Sequence, residues 1–472
     1  MYLTKGTLWR TVNLLYGFLV FGYYCTLAAV HGGFFYRPSE REKNELTIAR
    51  HKLWDLEKQH GDLAHAFFNL RNGLKLHYVT AAPKLSENTN LVILVHGFPD
   101  SWAIWLPLLH SDVLRENNRM VAVDLPGYGG SDGLNQYTAT EVLEIMTEFL
   151  SGMRTLFLPD DDSVTSGGGR VLYVGHDWGC SIGFRLAAEA SRLCDHFILL
   201  NSFHPQILAT NAKRIIQFSS KMLKSAVQRP SESRHVIHTV IHTSLPLLSQ
   251  LKKSGYIFML NLPMPFTALF GRLGGYWWIR YVRGLEKGAK PSFQGISVAE
   301  LMASSLGPSK MEVASATPVG ERYPPSVTAR LRSGPWPEQI RLYREGLAWG
   351  TWEKSLETLG ILFNLDDGRR PSSGAGLFEE GPLGSLKAPA TIIMGERDLA
   401  MEPRIALDGI GDYLFRRSQV IILPKNGHWV PIEDKGGALL EQVIQWAGTS
   451  RQEKLSQRVN GLGTGAKITV ER

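Results

Sequence analysis

An α/β fold with a largely parallel sheet is predicted for this chain of 472 residues, and three observations predict it. Apolar runs of strand length at 91–95, 120–123, 171–174 and 197–200 alternate with helical patterns, the rhythm of strands buried on both faces. Each run ends in a short loop carrying Gly, Pro, Asp, Asn or His, at the strand end where open parallel sheets hold their ligands. The rhythm stops near residue 206 and resumes near 386 with the runs 390–394 and 419–423. A mainly helical unit is therefore expected as an insertion in the sheet domain.

A hydrophobic content of 44% allows a large core, and the length exceeds one ordinary domain. The net charge of +7 is spread among 44 acidic residues, and no RNP, zinc-finger or helix-turn-helix pattern accompanies it, so no nucleic-acid partner is expected. The three cysteines, Cys25, Cys180 and Cys194, form no CxxC pair and no even-numbered framework, which points to a reducing compartment.

In chain order, residues 12–30 form an uncharged, aromatic-rich run of spanning length, read as a membrane anchor within residues 1–35. The run exceeds the apolar core of a signal peptide. Lys5 and Arg10 precede it and Arg37, Arg41, Lys43 and Arg50 follow, a balance that predicts the larger part in the cytosol; the membrane is expected to be the endoplasmic reticulum. Residues 36–205 are then the first part of the sheet domain. They start with a charged surface helix over 38–58 and a hairpin whose strands flank Arg71-Asn72-Gly73. Val142, Ile145, Met146, Phe149, Leu150 and Met153 mark one face of a helix packed on the sheet. Asp160, Asp161 and Asp162 lack the alternation and distal glutamate of a calcium loop and read as solvated loop.

Residues 206–385 read as the helical insertion, a cap, with Pro/Gly/Ser-rich loops or partly disordered segments at 284–325 and 366–384. His235, His238 and His242 share a helical face there, more simply a surface stripe than a metal site. Residues 386–450 complete the sheet domain and end in an amphipathic helix at 436–448. The tail 451–472, with three glycines and scattered charge, is expected to be disordered.

The chemistry is carried by Gly175-His176-Asp177-Trp178-Gly179, set between an apolar strand and a helical run. That is the spacing of a nucleophile elbow, with aspartate in the central place. A carboxylate there suits attack on a saturated carbon, because the alkyl ester formed can be hydrolysed at the enzyme's own carbonyl. Asp398, in 395–398, and His428, in 427–429, follow the two late strands. Nucleophile, acid, histidine is the chain order of an α/β-hydrolase triad. His428 would activate water, since Asp177 is ionised without help, and Asp398 would fix the imidazole tautomer.

HGFPD at 96–100, LPGYGGSD at 125–132, GHDWG, GERD and GHW together resemble the epoxide hydrolases of the α/β-hydrolase superfamily, the membrane-anchored kind in particular. The resemblance covers about 60–450 and implies a mostly parallel sheet of the eight-stranded type with a helical cap. It also implies an oxyanion hole from the backbone N–H groups of Phe98 and Trp178, and a cis bond before Pro99. Two cap tyrosines would donate to the epoxide oxygen: Tyr343, in Leu342-Tyr343-Arg344-Glu345, and Tyr256, seven residues before Pro263, with Asn261 where the family carries glutamine. The expected reactants are a lipophilic epoxide and water, with no metal and no cofactor; oligomeric state is left open. Haloalkane dehalogenation and a non-catalytic fold relative are the alternatives: the first shares the HDW context, the second would follow if the cap closed the pocket.

Overall fold

The computed structural model describes residues 7–58, 62–84, 89–158, 169–228, 233–285, 293, 295–365, 381–449 and 454–472. The aspartate run at 160–162, much of the loop 284–294 and most of 366–384 lie outside them.

Among the described residues nine strands form one sheet in the order β1-β2-β4-β3-β5-β6-β7-β8-β9. The hairpin β1 (Leu63–Asn69) and β2 (Lys75–Ala81) is antiparallel, and its turn places Gly73 at φ 84°, the left-handed conformation that glycine adopts freely. The predicted apolar runs become β3 (Asn90–Val95), β4 (Asn118–Val123), β5 (Val171–His176), β6 (His196–Leu200), β7 (Ala390–Gly395) and β8 (Gln419–Leu423), all parallel to one another, with β4 joined to β2 antiparallel. β5, β6 and β7 are buried at every residue, which is why they read as continuous apolar runs rather than alternations.

The last strand corrects the expectation for the tail. Residues 467–471 form β9 (Lys467–Glu471), which pairs antiparallel with β8, so 451–472 is not a disordered segment where it is described. Ile468 and Val470 alternate with Lys467, Thr469 and Glu471 and pack on the core as an edge strand does. The glycines before it obscured that short alternation. The sheet accordingly has nine strands where an eight-stranded type was expected.

Helices longer than one turn are numbered in order. α1 (Thr7–Val30) is the apolar helix, and α2 (Glu40–Trp54) opens on a capping box in which Ser39 and Glu42 satisfy each other's backbone donors. α3 (Ala139–Phe157) buries Val142, Ile145, Met146, Phe149, Leu150 and Met153 on the sheet. α4 (Trp178–Glu189) leaves the elbow. Between β6 and β7 the described residues carry helices and no sheet strand: α5 (Pro205–Gln228), α6 (Ser233–Lys253), α7 (Gly255–Leu260), α8 (Met264–Val282), α9 (Val298–Leu306), α10 (Pro325–Ser333) and α11 (Leu356–Asn364). α12 (Asp434–Gly448) and α13 (Leu455–Gly461) follow β8.

α9 corrects the reading of 284–325 as loop. Ser297 and Glu300 form a second capping box, and Leu301, Met302 and Leu306 are buried, a helix signal that the surrounding prolines and glycines masked.

The apolar helix does not stand apart from the cap. Tyr16 packs edge-on against Phe258 with ring centroids 4.9 Å apart, Phe21 lies 5.7 Å from Phe270, and Tyr24 lies 6.0 Å from Trp278. Glycines make this approach possible. A Cβ on Gly17 would lie 2.7 Å from the Phe258 carbonyl oxygen, and one on Gly274 would lie 1.6 Å from that of Gly33. Gly274 has φ 52° and sits in a break of α8 spanning Leu273, Gly274, Gly275 and Tyr276.

Candidate active site

Five strand ends converge on the site. The elbow after β5 holds Asp177 at φ 51°, a conformation unfavourable for a residue with a side chain and sustained by its surroundings. Close packing enforces it: a Cβ on Gly175 would meet the Gly179 carbonyl oxygen at 2.4 Å, and one on Gly179 would meet that of Val95 at 2.1 Å. The turn thrusts the carboxylate toward the loop after β3. There Phe98 N–H donates to Asp177 Oδ1 at 2.8 Å, and the neighbouring Trp178 N–H also favours the ionised carboxylate. The peptide bond between Phe98 and Pro99 is cis.

On its other side Asp177 faces the loop after β8. His428 Nε2 lies 3.7 Å from Asp177 Oδ2, too far for a hydrogen bond, while His428 Nδ1 donates to Asp398 Oδ2 at 2.9 Å. The imidazole is thus oriented by Asp398 and left uncommitted toward Asp177. Asp398 is buried and saturated with donors: Asn201 Nδ2 at 2.6 Å on Oδ2, with the Ala400 and Met401 N–H groups at 2.6 and 2.9 Å on Oδ1. Burial pushes its pKa upward, but His428 and these donors hold it below the ordinary carboxylate value.

Asp177 and His428 form a coupled pair. Burial raises Asp177 to about 6 despite the opposing pull of His428 and the two N–H donors. Burial alone would lower His428, but the charges of Asp398 and Asp177 prevail and raise it to about 9. His176, behind it, is held neutral by burial at about 4 and donates from Nε2 to the His428 carbonyl oxygen at 2.7 Å.

The cap closes the site with tyrosines. Tyr343, in a one-turn helix Arg341–Arg344, lies with its ring centroid 4.8 Å from that of Trp178 and 5.4 Å from that of Phe98, over the two residues expected to form an oxyanion hole. Tyr256, on α7, meets it edge-on at 5.8 Å, and the two phenols influence each other's acidity. Burial, with the nearby Asp177 charge, raises both phenols above their ordinary value, so both keep their protons. Arg344 brings them together, because its Nη1 donates to the carbonyl oxygen of Leu262 at 2.8 Å, beyond the C-terminus of α7. Asn261 Nδ2 donates to Ile257 O at 2.8 Å and to Tyr343 O at 3.5 Å. All seven sequence-predicted residues, Asp177, His428, Asp398, Tyr343, Tyr256, Phe98 and Trp178, therefore come together.

Three neighbours escaped the sequence reading. Asn201, at φ 50° after β6, ties Asp398 to the Gly427 carbonyl oxygen; an Asn closing a buried strand was the available signal. Asp100, in HGFPD, is fully buried, pairs with Arg283 at the end of α8 and accepts from Trp429 Nε1 at 3.2 Å. Nothing in the local sequence marks Arg283. His235, His238 and His242 lie on α6, away from these residues, with His238 and His242 hydrogen-bonded at 3.0 Å. No metal-ligating cluster occurs among the described residues.

Residues 92–442 match the model of the alpha/beta hydrolase family. A stretch of 145 residues is 31% identical to epoxide hydrolase 3 of Xenopus tropicalis, covering 30% of this chain and 35% of that protein. Another of 163 residues is 26% identical to human epoxide hydrolase 4, covering 34% and 40%. The chain thus spans roughly a third of the length of the curated relatives it matches. Among solved structures, the Cif epoxide hydrolase from Acinetobacter nosocomialis superposes with a TM-score of 0.51 at 16% identity, over 87% of this chain and 97% of that one, a likeness of fold.

Proposed function

The chain belongs to the alpha/beta hydrolase family, and within it we propose an epoxide hydrolase that opens a lipophilic epoxide to a vicinal diol through an ester on Asp177. The observation that carries this reading is the pair of protonated phenols, Tyr256 and Tyr343, facing an aspartate nucleophile rather than a serine. An alkoxide leaves poorly from carbon, and two donors aimed at the ring oxygen stabilise it as it forms. The named epoxide hydrolases among the relatives support the same reading.

In the proposed sequence Asp177 Oδ2 attacks a ring carbon while Oδ1 stays on the Phe98 N–H. The C–O bond breaks and the oxygen takes a proton from the tyrosine pair. The ester then carries its carbonyl oxygen in the oxyanion hole, and its formation removes the negative charge facing His428. That lowers the imidazole's proton affinity at the moment a base is needed. The imidazolium returns a proton to the tyrosinate, neutral His428 then takes a proton from water as the hydroxide adds to Asp177 Cγ, and collapse breaks the ester C–O bond, the leaving alkoxide taking the proton of the new Asp177 carboxyl to depart as the diol. Single turnover in ¹⁸O water should place label in the Asp177 carboxylate; diol formation without such label would overturn the ester route.

One observation favours a second reading. Trp178 Nε1 is buried and has no hydrogen-bond partner among the described residues, as a halide-holding indole would be. Halide release from bromoalkanes against diol formation from styrene oxide decides between them. Membrane association is part of the proposal: 10–30 is long and apolar enough to cross a membrane. An endoplasmic-reticulum site with the catalytic part toward the cytosol is tested by protease protection in microsomes.

A further inference from the structure

The surplus of positive charge, expected above to be spread along the chain, is instead concentrated in one segment. Residues 205–253, which form α5, α6 and their connection, hold eight lysines and arginines and a single carboxylate, Glu232. Their surplus of seven equals the net charge of the whole protein, so the rest of the chain is balanced. Two of the cations are neutralised in the fold, Arg214 by Asp408 and Lys253 by Glu402. Lys213, Lys221, Lys224, Arg234 and Lys252 have no ion-pair partner among the described residues, and all five are exposed.

The same two helices expose apolar lines. Ile216, Leu223 and Val227 recur at i, i+7 and i+11 on α5, and Ile237, Ile241, Leu245 and Leu248 at i, i+4, i+8 and i+11 on α6, each at least 40% exposed. Such spacing draws one stripe along each helix. Lys213 and Lys224 border the first stripe, while Arg234 and Lys252 stand at the two ends of the second. The end of α6 joins α1, where Tyr16 Oη donates to the Leu251 carbonyl oxygen at 3.1 Å. From there Leu15, Leu19 and Tyr23 continue the exposed apolar surface along α1, and Phe18 meets the equally exposed Phe266 of α8 at 5.2 Å.

We infer that the cap seats on an anionic lipid bilayer through one face made by the α5–α6 hairpin and the outer flank of α1. Apolar lines bordered by unneutralised cations match the boundary between acyl chains and acidic headgroups. A nucleic acid would leave the lines in water, and a protein partner would leave the continuity with α1 unused. The inference rests on the reading of α1 as a membrane element and adds to it a second contact carried by the lid. Because α7, with Tyr256, follows α6 directly, this contact holds the lid against the phase in which a lipophilic epoxide dissolves.

The test uses the full chain, with Cys25→Ala and single nitroxide labels at Leu223→Cys, Ile241→Cys and Leu248→Cys, and at Val319→Cys as an exposed apolar control outside the face. Vesicles of phosphatidylcholine with and without phosphatidylserine are the probes. With phosphatidylserine, the three helix labels should become accessible to oxygen and shielded from an aqueous nickel chelate, and the control should not. The Lys213→Glu, Lys221→Glu, Lys224→Glu variant should lose that immersion and bind these vesicles at least about fivefold more weakly per lysine. Its turnover of a water-soluble epoxide should be unchanged, which certifies the fold. Vesicle-bound protein whose helix labels stay open to nickel in both compositions overturns the inference and leaves the anchor standing. Protein that floats with neither vesicle overturns the anchor and the inference together. Labels shielded from both reagents without vesicles mean that a second copy covers the face, which also overturns it.

Discussion

The sheet half and the cap half of the site are held by different forces. Asp177, Asp398 and His428 stand on tight loops at strand ends, fixed by backbone N–H donors and by packing that only glycine permits. Tyr256 and Tyr343 stand on helical pieces held by aromatic edges and by a single arginine, Arg344, bonded to carbonyl oxygens. On the proposed mechanism, rigid preorganisation sits where charge would develop on the carboxylate, and adjustable packing sits around the leaving oxygen. Substitutions in the two halves should therefore fail differently.

The largest effect is expected in the sheet half. Asp177→Asn should lower kcat by about 10⁴-fold or more, as removal of a nucleophile does, measured as diol formation. His428→Gln should leave alkylation intact and slow ester hydrolysis by about 10³-fold. The ester would then accumulate on the peptide containing Asp177, visible by mass spectrometry. A variant that turns over without accumulation would break the division of labour between attack and hydrolysis.

Cap substitutions should cost less and depend on the leaving group. Tyr343→Phe or Tyr256→Phe should slow alkylation by about 10²-fold, the loss of one donor to a developing oxyanion, with ester hydrolysis unaffected in single-turnover assays. Arg344→Met should mimic a milder form of both, about tenfold, by letting the two tyrosines drift apart. Equal losses in alkylation and hydrolysis would remove the contrast between halves. Acidity sharpens it further. Asp177 is raised to about 6, so its nucleophilic form is lost as pH falls through 6, and alkylation should drop about tenfold per unit below that. Ester hydrolysis should follow a base limb below the value of about 9 that His428 has beside the charged Asp177, since the ester no longer carries that charge.

Most of the sheet half was legible in the sequence because its constraints are local. An elbow needs glycines two residues either side of the nucleophile, and Gly175 and Gly179 stand there. Tyr343 and Tyr256 were legible only through a family pattern, because what joins them is Arg344 reaching carbonyl oxygens some eighty residues away. Asp100 with Arg283 and Asn201 with Asp398 are non-local pairs of the same kind, without a spacing rule to reveal them. The strand β9 and the helix α9 were hidden by composition: glycine and proline nearby outweighed a two-residue alternation in one case and a capping box in the other.

The smallest expected effect tests how α1 meets the cap. Gly274→Ala puts a Cβ against the Gly33 carbonyl oxygen at a positive φ, which should cost about 2–3 kcal/mol and lower Tm by several degrees. Turnover at low temperature should be kept if α1 only buttresses the lid.

Trp278 gives that junction a practical meaning. One side of its ring meets Tyr24 of α1, and the other neighbours Tyr256 and Phe98 at 6.0 and 6.1 Å. A truncated enzyme starting near Pro38 would lose more than a tether: it would lose the outer wall of an aromatic layer one side chain from Tyr256. Its Phe270 and Trp278 would turn toward water, inviting aggregation and a loosened lid. A detergent-free preparation is better sought by polar substitution at Leu15, Leu19 and Tyr23, on the flank that faces away from the cap, than by cutting the helix off.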